Sequence, residues 1–206
     1  MDTELPVFFI FAIVVGFGLI IAVMAFQRTA KKRTARLSPA FGLGTCKRVG
    51  FFGSAVEGLY RSYSCRYTLQ YPSQYDPGGA LLRIAVTDPN RWSAETANMG
   101  SRLLVKFGLA KDFDIGDREL DERFRFSADD EGILRSVFDS EAARDAMHTL
   151  AATENFKGVG ARAERMDFQW APRNPKLDEE TDTVRFRLET AVSFAQACNI
   201  APRLGS

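Results

Sequence analysis

The sequence is poor in the residues on which most recognisable chemistry is built. It holds one histidine, His148, and three cysteines, Cys46, Cys65 and Cys198, in 206 residues. A single imidazole excludes any site that needs two. An odd number of widely spaced thiols with no C-x-x-C pair suits neither a disulfide framework nor a zinc site, which makes a reducing compartment the simpler setting. Net charge is nearly absent too, at +1. It is unevenly spread: five basic residues stand against Asp2 and Glu4 in the first 37 positions, so the remainder is two charges on the acidic side. That balance argues against a nucleic-acid partner.

Known site motifs are missing as well. The stretch FGLGTCKRVGFFG offers Gly42, Gly44, Gly50, Gly53 and Lys47. Its spacing matches neither G-x-x-x-x-G-K-[ST] nor G-x-G-x-x-G, and no strand precedes it. The densest carboxylate group is Asp112, Asp114, Asp117, Glu119, Asp121 and Glu122. Read as a calcium loop from Asp112, it puts Asp117 where the turn needs glycine and Arg123 where a bidentate glutamate is needed. Lys111, Arg118, Arg123 and Arg125 interleave with these acids, so surface ion pairs are expected. A general acid and base would require one carboxyl buried beside a pocket. His148 falls in a helical stretch beside Met147 and reads as a partly exposed helix residue, and nothing resembles G-x-S-x-G. The sequence therefore assigns no catalytic, cofactor-binding or metal-ligating residue, and its reading is of a non-enzymatic protein.

What the chain does have is one long apolar run. Leu5 to Phe26 are twenty-two residues without a charge, fifteen of them Leu, Ile, Val or Phe. As a helix this run reaches about 33 Å, enough for a hydrocarbon core of about 30 Å. The acidic start Met1–Glu4 and the basic cluster that follows the run are the reverse of a cleaved signal peptide. Arg28, Lys31, Lys32, Arg33 and Arg36 place the C-terminal end of the span in the cytoplasm by the positive-inside rule and face anionic headgroups. The expectation is a single pass through the inner (plasma) membrane, N-terminus outside and C-terminal domain cytoplasmic. Ala12 with Gly16, and Gly18 with Ala22, are small-xxx-small pairs that suit helix association.

The organisation read from this is a short tail at 1–4, a transmembrane helix at 5–26, a basic linker at 27–44, a soluble domain at 45–200 and a C-terminal tail at 201–206. Within the domain, Cys46–Phe52 reads as a first strand. Alternation from Leu59 to Tyr71 predicts a second, and Leu82, Ile84 and Val86 a third, stopped by Asp88-Pro89. Residues 91–107 read as a helix ending near Gly108. Phe124 and Phe126 predict a short strand, and Asp129–Ala152 one kinked helix or two, broken at Asp139-Ser140. Met166, Phe168 and Trp170 predict a strand. Val184, Leu188, Ala191, Val192, Ala195 and Cys198 form the stripe of a closing amphipathic helix. The fold class is α+β, a mainly antiparallel sheet packed by helices behind a single N-terminal transmembrane helix.

The segment Ile115-Gly116-Asp117-Arg118-Glu119-Leu120-Asp121-Glu122-Arg123-Phe124 follows an I-G-D-x-x-[FL]-D-x-x-F pattern. In this it resembles a family of uncharacterised bacterial membrane-anchored proteins that carry such a domain behind one or two N-terminal spans. The resemblance covers about 40 residues and implies a structural signature with no known activity. In it Gly116 and Asp117 turn and cap a short helix while Leu120 and Phe124 pack inward. The functional expectation is a membrane-tethered interaction domain whose partners are the bilayer and a membrane or cytoplasmic protein. The alternative is a membrane-proximal enzyme or small-ligand or lipid-binding domain using the acids at 112–122.

Overall fold

The structure, a computed structural model, describes residues 12–18, 20–21, 24–25, 28, 32, 35–41, 47–49, 55–70, 78–87, 90–97, 112–171, 178 and 180–203. The domain is one eight-stranded antiparallel sheet in the order β1-β2-β3-β4-β8-β7-β5-β6. Its first half is a meander of β1 (Lys47–Val49), β2 (Ala55–Tyr60), β3 (Tyr63–Gln70) and β4 (Gly79–Ala85). The far edge is the pair β5 (Trp92–Thr96) and β6 (Phe124–Ala128). Between the halves sits the hairpin of β7 (Phe156–Arg162) and β8 (Arg165–Trp170), with β8 on β4 and β7 on β5. The α+β class expected from the sequence is the one observed.

Among the described residues, four helices accompany the sheet: α1 (Arg118–Arg123), α2 (Glu131–Phe138), α3 (Glu141–Ala152) and α4 (Thr181–Ala197). The break between α2 and α3 has a local cause. The Ser140 hydroxyl accepts the Ala143 N–H at 3.1 Å and starts a new helix there, as Asp130 starts α2 by accepting the Gly132 N–H at 2.7 Å. The core lies between these helices and one sheet face. Tyr67, Leu82, Phe168, Ala94 and Phe126 come from the strands, and Leu134, Phe138, Met147, Leu188, Val192 and Phe194 from the helices. The opposite face carries Glu57, Arg66, Arg83, Asp167, Ser93 and Ser127, aligned with Gly160 of β7 in one transverse row by the register of seven strands.

Several expectations change. The strand read over Leu59–Tyr71 is two strands, with Arg61-Ser62 as a two-residue turn at φ 47° and 71° between the paired Tyr60 and Tyr63. Positive φ at both central residues is what a type I′ hairpin demands, normally met by Asn-Gly, so Arg-Ser gives no turn signal. Leu59 consequently faces solvent. Residues 92–96, expected as helix, are strand β5, and 98–111 lie outside the described residues. Strand β7 is an addition that the sequence reading lacks. The stretch expected as linker supplies core: Ser38–Phe41 form a 3₁₀ turn, Leu37, Ala40 and Phe41 are buried, and the Arg36 carbonyl accepts from the Thr181 hydroxyl at 2.8 Å. Part of the expected tail extends β4, with Thr87 N–H donating to the Ala201 carbonyl and Arg203 N–H to that of Ala85.

The expected span at 5–26 lies mostly outside the described residues. Among those described, no helix is long and apolar enough to cross a membrane. Residues 12–18, 20–21 and 24–25 are nonetheless helical. Ile13, Val14, Val15, Phe17, Ile20, Ile21 and Met24 are 48–65% exposed there.

Phe41 packs against β2 at a position where even a Cβ on Gly58 would stand 3.0 Å from its side chain. Phe41→Ala is therefore expected to cost about 3–5 kcal/mol, in the range of buried phenylalanine truncations, read as a lowered urea midpoint. An unchanged midpoint would remove residues 37–41 from the core.

Candidate functional site

The acidic segment is held by its own backbone. Asp112 Oδ1 accepts the Phe126 N–H at 3.0 Å, and Phe113 N–H donates to the Phe126 carbonyl at 3.0 Å. Phe126 lies on β6, the outermost strand, so this loop occupies hydrogen-bonding groups that an incoming strand would use. The second oxygen of Asp112 pairs with Arg125. Gly116 turns the chain at φ +79°, Asp117 caps α1 by accepting the Leu120 N–H at 3.1 Å, and Asp121 accepts the Ile115 N–H at 3.0 Å. Leu120 and Phe124 are buried. This is the capping geometry expected for the segment.

His148 joins this arrangement from α3, its Nε2 standing 2.8 Å from Asp117 Oδ2. Burial pushes the Asp117 carboxyl up, but the Leu120 N–H, His148 and the Glu119 N–H together outweigh it and hold it below its ordinary value. Asp121 moves the other way. Burial is the largest cause and Asp114 adds repulsion, against which the Ile115 N–H acts only in part. Glu119 and Glu122 stay on the surface, Glu122 paired with Arg118 at 2.9 Å. The carboxylates of 112–122 thus serve turns, a cap and ion pairs rather than converging on a cavity. Among the described residues, no three His, Cys, Asp or Glu side chains gather as a metal site.

A concavity lies elsewhere, where the C-terminal end of α3 meets the first turns of α4. It is a cleft of about 560 Å³ walled by Thr149, Thr153, Asp182, Thr183 and the half-exposed Phe186, with Asp178 and Arg187 at its base. Arg187 is 6% and Asp178 4% exposed. The guanidinium donates to Asp178 Oδ1 at 2.8 Å and to the Tyr67 hydroxyl at 2.6 Å, and lies 4.9 Å from the Trp170 ring centre. Tyr67 in turn donates to the Asp178 carbonyl at 3.0 Å, and Trp170 Nε1 donates to Thr153 Oγ1 at 3.0 Å. A buried charge is tolerable only when paired and hydrogen-bonded, and this one is both. The cleft offers an apolar wall over a neutralised ionic floor. Cys65 is buried elsewhere in the core, its thiol pushed up to about 12 by that burial, so it stays protonated.

Of the basic residues expected to mark membrane topology, Arg28, Lys32 and Arg36 are helical and exposed. Lys31 and Arg33 lie outside the described residues. The Arg187 network is not legible in the sequence because an arginine in the second turn of an amphipathic helix reads as solvent-facing. Asp178, nine residues before it, stands in the acidic run Asp178-Glu179-Glu180, which by itself gives no reason for burial.

Two outcomes are expected. Removing either member of the buried pair, by Asp178→Ala or Arg187→Ala, should cost about 3–5 kcal/mol in chemical denaturation, whereas the double change Asp178→Leu with Arg187→Met should restore most of it. Asp117→Ala should cost about 1–2 kcal/mol at neutral pH. Because the folded carboxyl is depressed, this contribution is full above the ordinary value of about 3.9 and is lost as the pH falls through the folded value. The gap between wild type and Asp117→Ala should therefore close in acid; a gap independent of pH would deny the cap its charge.

No protein-family model matches the chain, and no curated protein matches it. Among solved structures the chain is similar to one described as the crystal structure of the mycobacterial trehalose monomycolate transport factor A, TtfA. The TM-score is 0.43 and the identity 12%, over 84% of this chain and 98% of that one. A likeness of that degree leaves function to be argued from the residues themselves.

Proposed function

We propose that the chain is a membrane-tethered interaction domain, anchored through its N-terminal apolar helix and holding its α+β body on the cytoplasmic side of the inner membrane of a bacterium. The observation that carries this reading is the exposed apolar surface at 13–24. Ile13, Val14 and Val15 are consecutive and each is at least half exposed. Neighbours on a helix point about 100° apart, so these three cannot share one face, as an amphipathic helix resting on a core would require. A surface apolar on several sides needs lipid or other apolar helices around it.

The charge after it supports the same reading. Arg28, Lys32 and Arg36 suit the headgroup region on the cytoplasmic side. Leu37 is already in the core, so the body begins within a few residues of the last of these charges. The I-G-D-x-x-L-D-x-x-F segment joins the protein, on this reading, to the bacterial membrane-anchored proteins it resembles. Tethering raises the effective concentration of the body for neighbours at the same surface, and the partner sought is a membrane or cytoplasmic protein. The Phe186 cleft is the concave apolar feature available to it.

Carbonate-washed membranes should retain the full chain and release one lacking residues 1–26, and a reporter enzyme fused after Ser206 should be active only in the cytoplasm. Recovery of the full chain in the wash, or activity on the other side, would sink the tether or its direction.

A further inference from the structure

The sheet face turned away from the helices holds a feature that the tether does not use. Glu57 of β2, Arg66 of β3, Arg83 of β4 and Arg165 of β8, with Glu164 and Arg203 beside them, surround a hollow of about 310 Å³. Arg66 and Arg83 are directly opposite in the β3–β4 register. Arg165 pairs with Ala85, two residues along from Arg83. Like charges placed directly across strands are unfavourable, so three arginines brought together on one rigid surface call for counter-charge.

Among the described residues, the carboxylates supply it incompletely. Arg83 is well served, its Nε and Nη2 donating to Asp167 at 2.7 and 3.2 Å. Arg165 reaches the same carboxylate only at 3.6 Å, and Arg66 reaches Glu57 only at 3.5 Å. Arg203 is paired with Glu164. Four guanidinium groups thus share three carboxylates, and one of those, Asp167, already serves two arginines. Each guanidinium carries five N–H donors, so donors remain on Arg66 and Arg165 that no short bond uses. Both side chains keep more than a third of their surface exposed, while the strands fix their bases in place.

We infer that this hollow is an oxyanion-binding site, formed by Arg66, Arg83 and Arg165, for the phosphate group of a ligand. Arginine forks match the paired oxygens of a phosphate, and charge-assisted bonds of this kind are about twice as strong as neutral ones. Asp167, beside Arg83 on the neighbouring strand, orients it, leaving Arg66 and Arg165 to close on the anion. The phosphate is that of a soluble phosphorylated molecule or of an acidic lipid headgroup; both present the same oxygens, and the test separates them. The inference rests on the sheet face alone and stands whether or not the chain is tethered.

The full chain in phosphatidylcholine nanodiscs, its arginine side chains labelled with nitrogen-15, is titrated with inorganic phosphate and with pyrophosphate. It is then compared with the same protein in nanodiscs containing phosphatidylglycerol. If the chain stays outside the discs, the tether fails and the phosphate titration proceeds in plain buffer. Saturable shifts of the Arg66, Arg83 and Arg165 side-chain signals with the soluble anions identify a soluble ligand; shifts that appear only with phosphatidylglycerol identify a headgroup. The variant R66Q/R165Q keeps the Arg83–Asp167 bond and is expected to unfold like wild type, but to weaken binding by at least about tenfold. R135Q, which removes a distant exposed charge from α2, is expected to bind as wild type does. No saturable shift in any arm, or equal binding by R66Q/R165Q, overturns the site.

Discussion

Phe194 is the ring at which the fold is tied together. It stands 6.2 Å from Trp92 of β5, 6.1 Å from Phe138 of α2 and 6.1 Å from Phe168 of β8, so the last helix, the far strand pair and the central hairpin meet on one side chain. The contacts continue outward through Phe138 to Phe126 at 5.3 Å and through Phe156 to Trp170 at 5.6 Å, mostly edge to face. Such pairs add about 0.5–1.5 kcal/mol each beyond the area they bury. A sheet built from a meander, a distant pair and an inserted hairpin has few local reasons to close. This aromatic seam is the surface on which the strand pair, the hairpin and the helices α2 and α4 meet.

The seam also explains where an ion pair can be buried. Trp170 is clamped by Phe156 and Phe168 on the sheet and by Thr153 at its indole nitrogen, and its ring forms a fixed wall for the Arg187 guanidinium. Tyr67 completes the enclosure from the neighbouring half of the sheet. Among the described residues, charge enters the interior where aromatic packing fixes the surrounding groups, which is the condition under which a desolvated pair is sustained.

Much of this was legible in the sequence wherever one face of an element was buried in strict period. The α4 stripe, the Phe124–Phe126 strand, the Met166–Trp170 strand and the break at Ser140 all follow from spacing and capping chemistry. The misreadings share a cause: local composition spoke against the tertiary setting. Strand β5 is Trp-Ser-Ala-Glu-Thr, whose Ala and Glu favour a helix in isolation, yet Trp92 and Ala94 are drawn into the core as strand residues. Strand β7 was diluted by glycine, although Gly158 is required: a Cβ there would stand 2.3 Å from the Ala94 carbonyl of the next strand. Residues 37–41 reach the core through a single 3₁₀ turn, too short to show a period. The candidate sites were less legible than the fold. The acids that looked chemical cap and turn the chain, while the arginines that gather at the sheet face lie on three strands far apart in sequence.

The loop that lines the outer rim of β6 has a consequence for crowding. Molecules confined to two dimensions meet one another far more often than molecules free in three, and a flat sheet with an open margin would then zip to its neighbours. Asp112 gives that margin a carboxylate in place of an adjoining backbone, and the chain doubles back beside it through Phe113. Edge-to-edge pairing through Phe126 is thereby closed at this side.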